Sequence, residues 1–258
     1  MNLKGVRTGI AAACAVVSLG AASSAAAQGQ CSRDTLDDIA AKYVEGQKQG
    51  SIFTLPVGEW VDYRENGQLV STATGVISQP SDFDWHLALV DTGTCHVLVH
   101  GVILKPVPYV VTTQLAWTFN GLGQIRSTVV REGDANFDAK KTYAYASKED
   151  WSEIPAGKRD TRQALLALAN AYLDRAGGGA ADVALAPSCD RIDNGAYSTN
   201  CEPAPGAAFV DREFTVDEAK GAVAVVSNRG EAEGPQDSRI FRIEDGKIRH
   251  VHAVTPSQ

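Results

Sequence analysis

The sequence lacks most of the features that mark large functional classes. Its 24 lysines and arginines are outnumbered by 31 aspartates and glutamates, which gives a formal charge of −7. That sign opposes a phosphate backbone and excludes nucleic acid as a partner. No CxxC pair and no GxSxG motif occur, so the pattern offers neither zinc bound to sulfur nor a nucleophile elbow. The hydrophobic share of 44% is nevertheless enough for a folded core.

The N-terminus has the pattern of a secretory signal peptide. Lys4 and Arg7 precede an apolar run over 9–20 and a stretch of small residues that ends at Ala27. We predict cleavage after Ala27 and a periplasmic or secreted protein. No later run reaches the roughly 18 apolar residues of a membrane span. Lipid attachment at Cys14 is disfavoured, because the apolar run continues beyond it and Ala11 replaces the usual leucine.

Four cysteines remain after cleavage, an even number for an oxidising compartment. They allow three pairings. We favour Cys31 with Cys95 and Cys189 with Cys201, because the second pair closes a short loop rich in Gly, Asn and Pro.

The chain also repeats itself at a shift slightly below half its length. Both copies contain a helical stripe that ends in tyrosine and an Asn-Gly turn. These matches predict a signal peptide (1–27), a first repeat (28–133), a linker (134–158) and a second repeat (159–258). The aligned stretches are Leu36, Ile39, Ala40 and Tyr43 with Leu165, Leu168, Ala169 and Tyr172; 62–67 with 190–195; 90–91 with 216–217; and 124–126 with 247–249.

Each copy is predicted to be a helix followed by a meandering antiparallel sheet, which is an α+β fold. We expect strands near 68–77, 95–104, 109–119 and 124–131 in the first copy, and near 208–216, 222–228, 239–243 and 247–254 in the second.

This element order resembles two tandem cone-shaped units of the nuclear transport factor 2-like and SnoaL-like fold. The stretches 86–95, 159–162, 171–174 and 241–252 further resemble a secreted family of unknown function that is common in fungi and present in some bacteria. Leu87 and Ala88 depart from that pattern, where polar residues are expected. The resemblance implies the fold and no settled activity.

The five histidines mark positions where the copies differ. At the local shifts, His86, His96 and His100 align with Arg212, Ala222 and Val226, whereas His250 and His252 align with Ser127 and Val129. Because side chains alternate along a strand, His96 shares a face with His100, and His250 with His252. We expect both pairs to point into a cone interior.

Histidine next to a carboxylate can move protons without a cofactor. We predict His86 or His252 as acid or base, with Asp91 as its orienting carboxylate and Arg212 as an anchor for a substrate carboxylate. Alternatively, His250-Val251-His252 is a metal-binding pair, or each histidine is structural. Arg212 could instead pair with Asp217 or Glu218.

Tyr43 and Asp62 suggest a third arrangement, which resembles the tyrosine and buried acid of ketosteroid isomerase-like members of the cone fold. The repeat argues against it, since Tyr172 and Asp190 recur at matching places. A core tyrosine and a turn-capping aspartate are the simpler interpretation.

The sequence thus predicts an exported, cofactor-independent lyase, isomerase or hydrolase for a small organic or sugar-derived molecule. A small-ligand binding protein and a metal-dependent enzyme are the alternatives, and the chain would be a monomer or homodimer. The residues predicted to bind substrate are Arg212, His96, His100, His250, Tyr43 and Asp62.

Overall fold

The computed structural model describes residues 31–257, which form three helices and two six-stranded sheets. The predicted signal peptide, its cleavage site after Ala27 and Cys14 lie outside the described residues. Within the described range no helix combines the length and the apolar character needed to cross a membrane.

The first unit starts with helix α1 (Arg33–Gln49), where the Ser32 hydroxyl accepts a hydrogen bond from the Thr35 amide. Gly50 ends the helix in the left-handed region. Short 3-10 turns cover Ile52–Thr54 and Val76–Ser78. The strands are β1 (Val57–Glu65), β2 (Gln68–Leu69), β3 (Trp85–Asp91), β4 (His96–Ile103), β5 (Tyr109–Thr118) and β6 (Gly121–Arg131).

The linker contains helix α2 (Ala139–Ala146) and a 3-10 turn (Ala156–Lys158). The second unit then repeats the pattern with helix α3 (Arg162–Ala176), capped by Thr161. Its strands are β7 (Leu185–Asp193), β8 (Ala196–Ser198), β9 (Phe209–Asp217), β10 (Ala222–Arg229), β11 (Gln236–Glu244) and β12 (Lys247–Val254).

The two sheets have the same topology, which confirms the predicted repeat. Their strand orders are β2-β1-β6-β5-β4-β3 and β8-β7-β12-β11-β10-β9. The expectation of an all-antiparallel meander is wrong at one place in each sheet, because β1 is parallel to β6 and β7 is parallel to β12. After the first hairpin the chain crosses to the far edge of the sheet, so the first and last long strands become neighbours.

The predicted strand over 68–77 is also wrong. Only Gln68–Leu69 is extended, as the return of the Asn66-Gly67 turn onto β1, and Val76–Ser78 is a 3-10 turn. Strands β1, β3, β7 and β8 were not predicted. A register shift between Val57 and Asp62 interrupts the alternation of β1, and β3 has buried residues on both faces, so neither shows a period of two.

Helices α1 and α3 each cover one face of their own sheet. In the first unit the apolar stripe of α1, which includes Leu36 and Tyr43, packs on Val97, Val99 and other residues of that sheet. The second unit packs α3 in the same way through Leu165, Tyr172 and Phe241. The opposite sheet faces meet each other in a third apolar cluster, whose members are Leu87, Leu89, Leu98, Trp151, Ala222, Ala224, Val226 and Ile240.

Two reciprocal ion pairs cross the boundary between the units. Arg162, the first residue of α3, donates to both oxygens of Asp91 in the first sheet, at 2.6 and 2.8 Å. Arg33, the first residue of α1, pairs with Asp217 in the second sheet. Each helix therefore covers its own sheet and also binds the sheet of the other unit.

The predicted cysteine pairing is confirmed. Cys31 is bonded to Cys95, and Cys189 is bonded to Cys201, with Cα separations of 5.1 and 5.6 Å. The first bond fixes the start of α1 to the β3–β4 turn, and the second closes the loop that follows β8.

Candidate functional site

The repeat brings two equivalent pairs of parallel strands to the boundary between the units. In the first unit Asp62 lies opposite Gln124, and Arg64 lies opposite Arg126. In the second unit the same positions place Asp190 opposite His250 and Ile192 opposite His252. The two sites, called here the cleft and the histidine cluster, are therefore siblings.

This register corrects the predicted alignment of the last strands. The β5–β6 turn ends at Gly121 and the β11–β12 turn ends at Lys247, so the shift there is 126 rather than the predicted 123. The counterparts of His250 and His252 are then Gln124 and Arg126, rather than Ser127 and Val129. The histidines still differ from their counterparts, but those counterparts line the cleft.

The cleft has a volume of about 750 Å³ and lies between the two units. The first unit contributes Asp62, Arg64, Gln124 and Arg126, and the second contributes Gln236 together with segments 232–235 and 256–257. Gln236 also connects the walls, because its amide nitrogen donates to Ser127 O at 3.1 Å and to Thr128 Oγ1 at 2.6 Å.

Both guanidinium groups of the cleft have a carboxylate partner. Arg64 Nε lies 3.1 Å from each oxygen of Asp62. Arg126 pairs with Glu213, whose other oxygen is 3.7 Å from His96 Nε2. His96, a predicted binding residue, is thus connected to the cleft through one ion pair, whereas Asp62 lines it directly.

The histidine cluster is built on a chain of hydrogen bonds. His100 Nε2 lies 3.0 Å from His252 Nδ1, and His252 Nε2 lies 2.7 Å from Glu149 Oε2. Trp151 Nε1 also donates to that oxygen, at 2.9 Å. His100 and His252 are each 1% exposed, so the chain is shielded from bulk solvent.

The hydrogen-bond partners determine the protonation states. His100 Nδ1 lies 3.1 Å from the Val111 carbonyl and must donate, so a neutral His100 accepts at Nε2. His252 Nδ1 therefore faces the accepting nitrogen of His100, and His252 Nε2 faces the Glu149 carboxylate. Burial, together with the charge on His252, lowers the pKa of His100 to about 3. Burial alone would raise the pKa of Glu149, but His252, His250 and Trp151 outweigh it and lower that pKa.

The linker closes this second site. Glu149 and Trp151 both belong to it. The ring centroid of Trp151 lies 5.6 Å from that of His252 and 5.9 Å from that of His250. Glu149 Oε1 and His250 Nδ1 are 3.8 Å apart, and both are buried without a hydrogen-bond partner among the described residues. In the part of the chain that the structure describes, no group of three or more His, Cys, Asp or Glu side chains is arranged to hold a metal ion.

The expectation that the paired imidazoles point into a cone interior is wrong. Val97, Val99 and Val251, which alternate with the histidines, belong to the cores between helix and sheet. His96, His100, His250 and His252 consequently lie on the opposite faces, between the sheets. Bulky side chains such as Tyr43, Tyr63 and Leu115 fill the helix side of the first sheet.

Asp91 was predicted to orient His86 or His252, but it pairs with neither. It accepts from Arg162, from the Val216 amide at 2.9 Å and from the amides of its own β3–β4 turn. Burial alone would raise its pKa, but these donors outweigh burial and lower the pKa. Asp217, its counterpart, accepts from Val90 and from its own turn. Asp91 thus connects the units.

The remaining predicted residues are dispersed. His86 is exposed beside α1 in a shallow depression of about 320 Å³. Arg212 donates to Asn170 and Asp174 of α3, at 2.7 and 2.6 Å, rather than to Asp217 or Glu218. Tyr43 is buried and bonded to Thr113 Oγ1 at 2.7 Å, on the face of the sheet opposite Asp62, so the two do not form the tyrosine–acid arrangement, which the repeat also disfavoured.

Sequence reasoning missed Glu149, Trp151, Arg126 and Gln236. Glu149 and Trp151 lie in a segment interpreted only as a linker. Arg126 was inside an aligned stretch, but the alignment matched it to Arg249 rather than to His252. A signal was available for Arg126, since the hairpin turns at Gly121 and Lys247 give the correct shift.

The comparisons concern the second unit. Residues 158–255 match the family described as Domain of unknown function (DUF8021). The match begins at the end of the linker and continues through β12. A family of unknown function agrees with the resemblance predicted from the sequence, and it assigns no activity. No curated protein matches the chain.

Proposed function

We propose that this protein binds a small polar molecule in the cleft between its two units. The observation that carries the proposal is a cleft of about 750 Å³ lined by polar side chains from both units. Ligand sites commonly have roughly 300 to 1,000 Å³. The helix side of each sheet is packed with apolar residues, which favours the boundary between the units over a cone interior.

In this proposal the protein is exported, and each of its two units has the nuclear transport factor 2-like cone fold. Two disulfides and the signal-peptide pattern support a periplasmic or extracellular location. A helix packed across a six-stranded sheet, in the same order twice, supports the cone-fold assignment. Binding in the cleft requires neither a cofactor nor a second chain.

Arg126 provides the test of binding. Its side chain is 15% exposed, so Arg126→Ala removes donors from the cleft wall. The matched control is Arg191→Ala, a 19% exposed arginine in an ion pair with Asp193 on the other unit. A panel of polar metabolites is titrated into both variants and the parent chain, with binding followed by calorimetry. We expect Arg126→Ala to weaken binding at least tenfold and Arg191→Ala to leave it unchanged. Equal affinities in both variants would refute the proposal that the ligand binds in the cleft.

A second candidate function is the cofactor-independent acid–base reaction predicted from the sequence. The chain from Glu149 through His252 to His100 favours it, because this arrangement can hold and transfer a proton. His252 is the proton carrier in this proposal. His252→Ala should abolish turnover of a converted compound while the protein stays folded, whereas Arg126→Ala should not. Turnover retained by folded His252→Ala excludes this role.

A further inference from the structure

We propose that the ligand of the cleft is a neutral, polyhydroxylated molecule of the sugar class. This inference rests on the proposed function and adds the chemistry of the ligand. It follows from three properties of the cleft, which are the balance of its charges, one unsatisfied acceptor and the arrangement of its polar side chains.

The charges of the cleft disfavour an anion. Arg64 is matched by Asp62 and Arg126 by Glu213, so neither guanidinium is an uncompensated positive charge. Glu233 also lines the cleft and adds a negative charge. A carboxylate or phosphate ligand would have to compete with these carboxylates for the arginines.

Gln236 supplies an acceptor that requires a donor. The residue is 1% exposed, and both contacts of its amide nitrogen are to the other unit. Its Oε1 has no hydrogen-bond partner among residues 31–257, although the side chain lines the cleft. A buried acceptor without a partner is unfavourable. A ligand that carries only acceptors would leave this atom unsatisfied, whereas a hydroxyl group can donate to it.

The first wall presents acceptors and donors side by side. Asp62 lies opposite Gln124, and Arg64 lies opposite Arg126, on two adjacent parallel strands. Carboxylates accept, guanidinium groups donate and amides do both. An ammonium group would satisfy Asp62 but meet the arginines, and a carboxylate would do the reverse. A hydroxyl both donates and accepts without charge, so adjacent hydroxyls on one molecule fit the whole wall.

The experiment compares matched ligands that differ in one group. Glucose, glucuronate and glucosamine, and the same three forms of galactose and mannose, are titrated into the isotope-labelled full chain. Side-chain NMR signals of Arg64, Arg126 and Gln236 report binding at the site. We expect at least one neutral sugar to shift these signals with a dissociation constant on the order of 1 mM. Its acidic and amino forms should bind at least tenfold more weakly.

Variants connect the result to the proposed atoms. Gln236→Leu removes the acceptor, and Gln124→Leu changes the half-buried opposite wall in case the first variant fails to fold. Gln114→Leu is the matched control, because Gln114 is 2% exposed and bonds across the units to Thr215, outside the cleft. We expect at least fivefold weaker sugar binding in either cleft variant and no change in Gln114→Leu.

The outcomes separate this inference from the proposed function. Tighter binding of a uronate or an amino sugar at the same signals would overturn the sugar-class inference and leave the cleft as a binding site. If none of the nine sugars binds but another polar metabolite does, and Arg126→Ala weakens that binding, the sugar-class inference is likewise overturned and the cleft remains a binding site. If no compound shifts the cleft signals, both proposals are wrong.

Discussion

At the scale of the residue, equivalent positions in the two copies can have the same structural role. Asp91 and Asp217 recur in both copies because each closes its own hairpin turn and binds the arginine at the start of the other unit's helix. The recurrence of this aspartate reflects a role in the fold, and the prediction that Asp91 orients a catalytic histidine did not match its contacts.

Asp91→Asn should destabilise the protein by about 2 kcal/mol, because a neutral amide replaces the carboxylate that pairs with Arg162 and accepts from three backbone amides. The side chain of Asp91 is fully buried. The measurement is the free energy of unfolding in urea. Lys42→Ala, which breaks the exposed pair with Asp38, is the control and should cost no more than about 1 kcal/mol. Similar losses in the two variants would show that the Asp91 contact adds no stability.

His100 should make stability depend on pH below neutrality. Its pKa is about 3 in the folded chain against an ordinary 6.5, so the unfolded chain binds the extra proton first. The resulting stability is complete above pH 6.5 and declines as pH falls towards 3, by at most about 1.4 kcal/mol per pH unit. The free energy of unfolding in urea, measured from pH 7 to pH 5, should fall less steeply with decreasing pH in His100→Gln than in the parent chain. An unchanged slope would contradict this assignment.

The histidines show what could be predicted at this scale and what could not. Alternation along a strand correctly placed His96 with His100 and His250 with His252. Which face they occupy depends on what covers each face, and here a second sheet covers the side opposite the helix. Composition offers no sign of this, because both faces are apolar.

At the scale of the element, the linker packs against both units. It contains α2 and places Glu149 and Trp151 on the histidine cluster, whereas among the described residues no part of the linker lines the sibling cleft. The strands β4 to β6 and β9 to β12 were predictable from their apolar runs and turns. The linker's role was not, because Trp151 becomes buried only when the two sheets meet.

Glu149→Ala should destabilise the protein, because it removes the buried carboxylate that is hydrogen-bonded to His252 and Trp151. We expect a loss of about 3 kcal/mol in the free energy of unfolding in urea. Trp151→Phe is the matched control, since it keeps a ring in place and removes only the donor to Glu149; it should cost about 1 kcal/mol. A loss in Glu149→Ala no larger than the loss in Trp151→Phe would show that the Glu149 carboxylate does not stabilise the histidine cluster.

At the scale of the whole molecule, the duplication was visible in the sequence, but the way the copies meet was not. Helical stripes and Asn-Gly turns recur locally, so sliding the chain against itself detects them. The ion pairs between the units are made by Arg33 and Arg162, each the first residue of a helix, an end where the helix dipole favours acidic rather than basic side chains. Only the folded chain shows that each reaches the other unit. The cleft, which requires both units, was beyond prediction for the same reason.

The ion pairs that Arg33 and Arg162 each make with the other unit have a consequence for how this protein responds to dilution. Two separate subunits joined through such contacts would come apart as their concentration fell, but here both partners travel on one polypeptide, and the local concentration of each is fixed by the tether. The thermal midpoint should therefore stay constant when the protein is diluted a hundredfold, as followed by differential scanning fluorimetry. A midpoint that falls on dilution would mean that a second copy completes the native state.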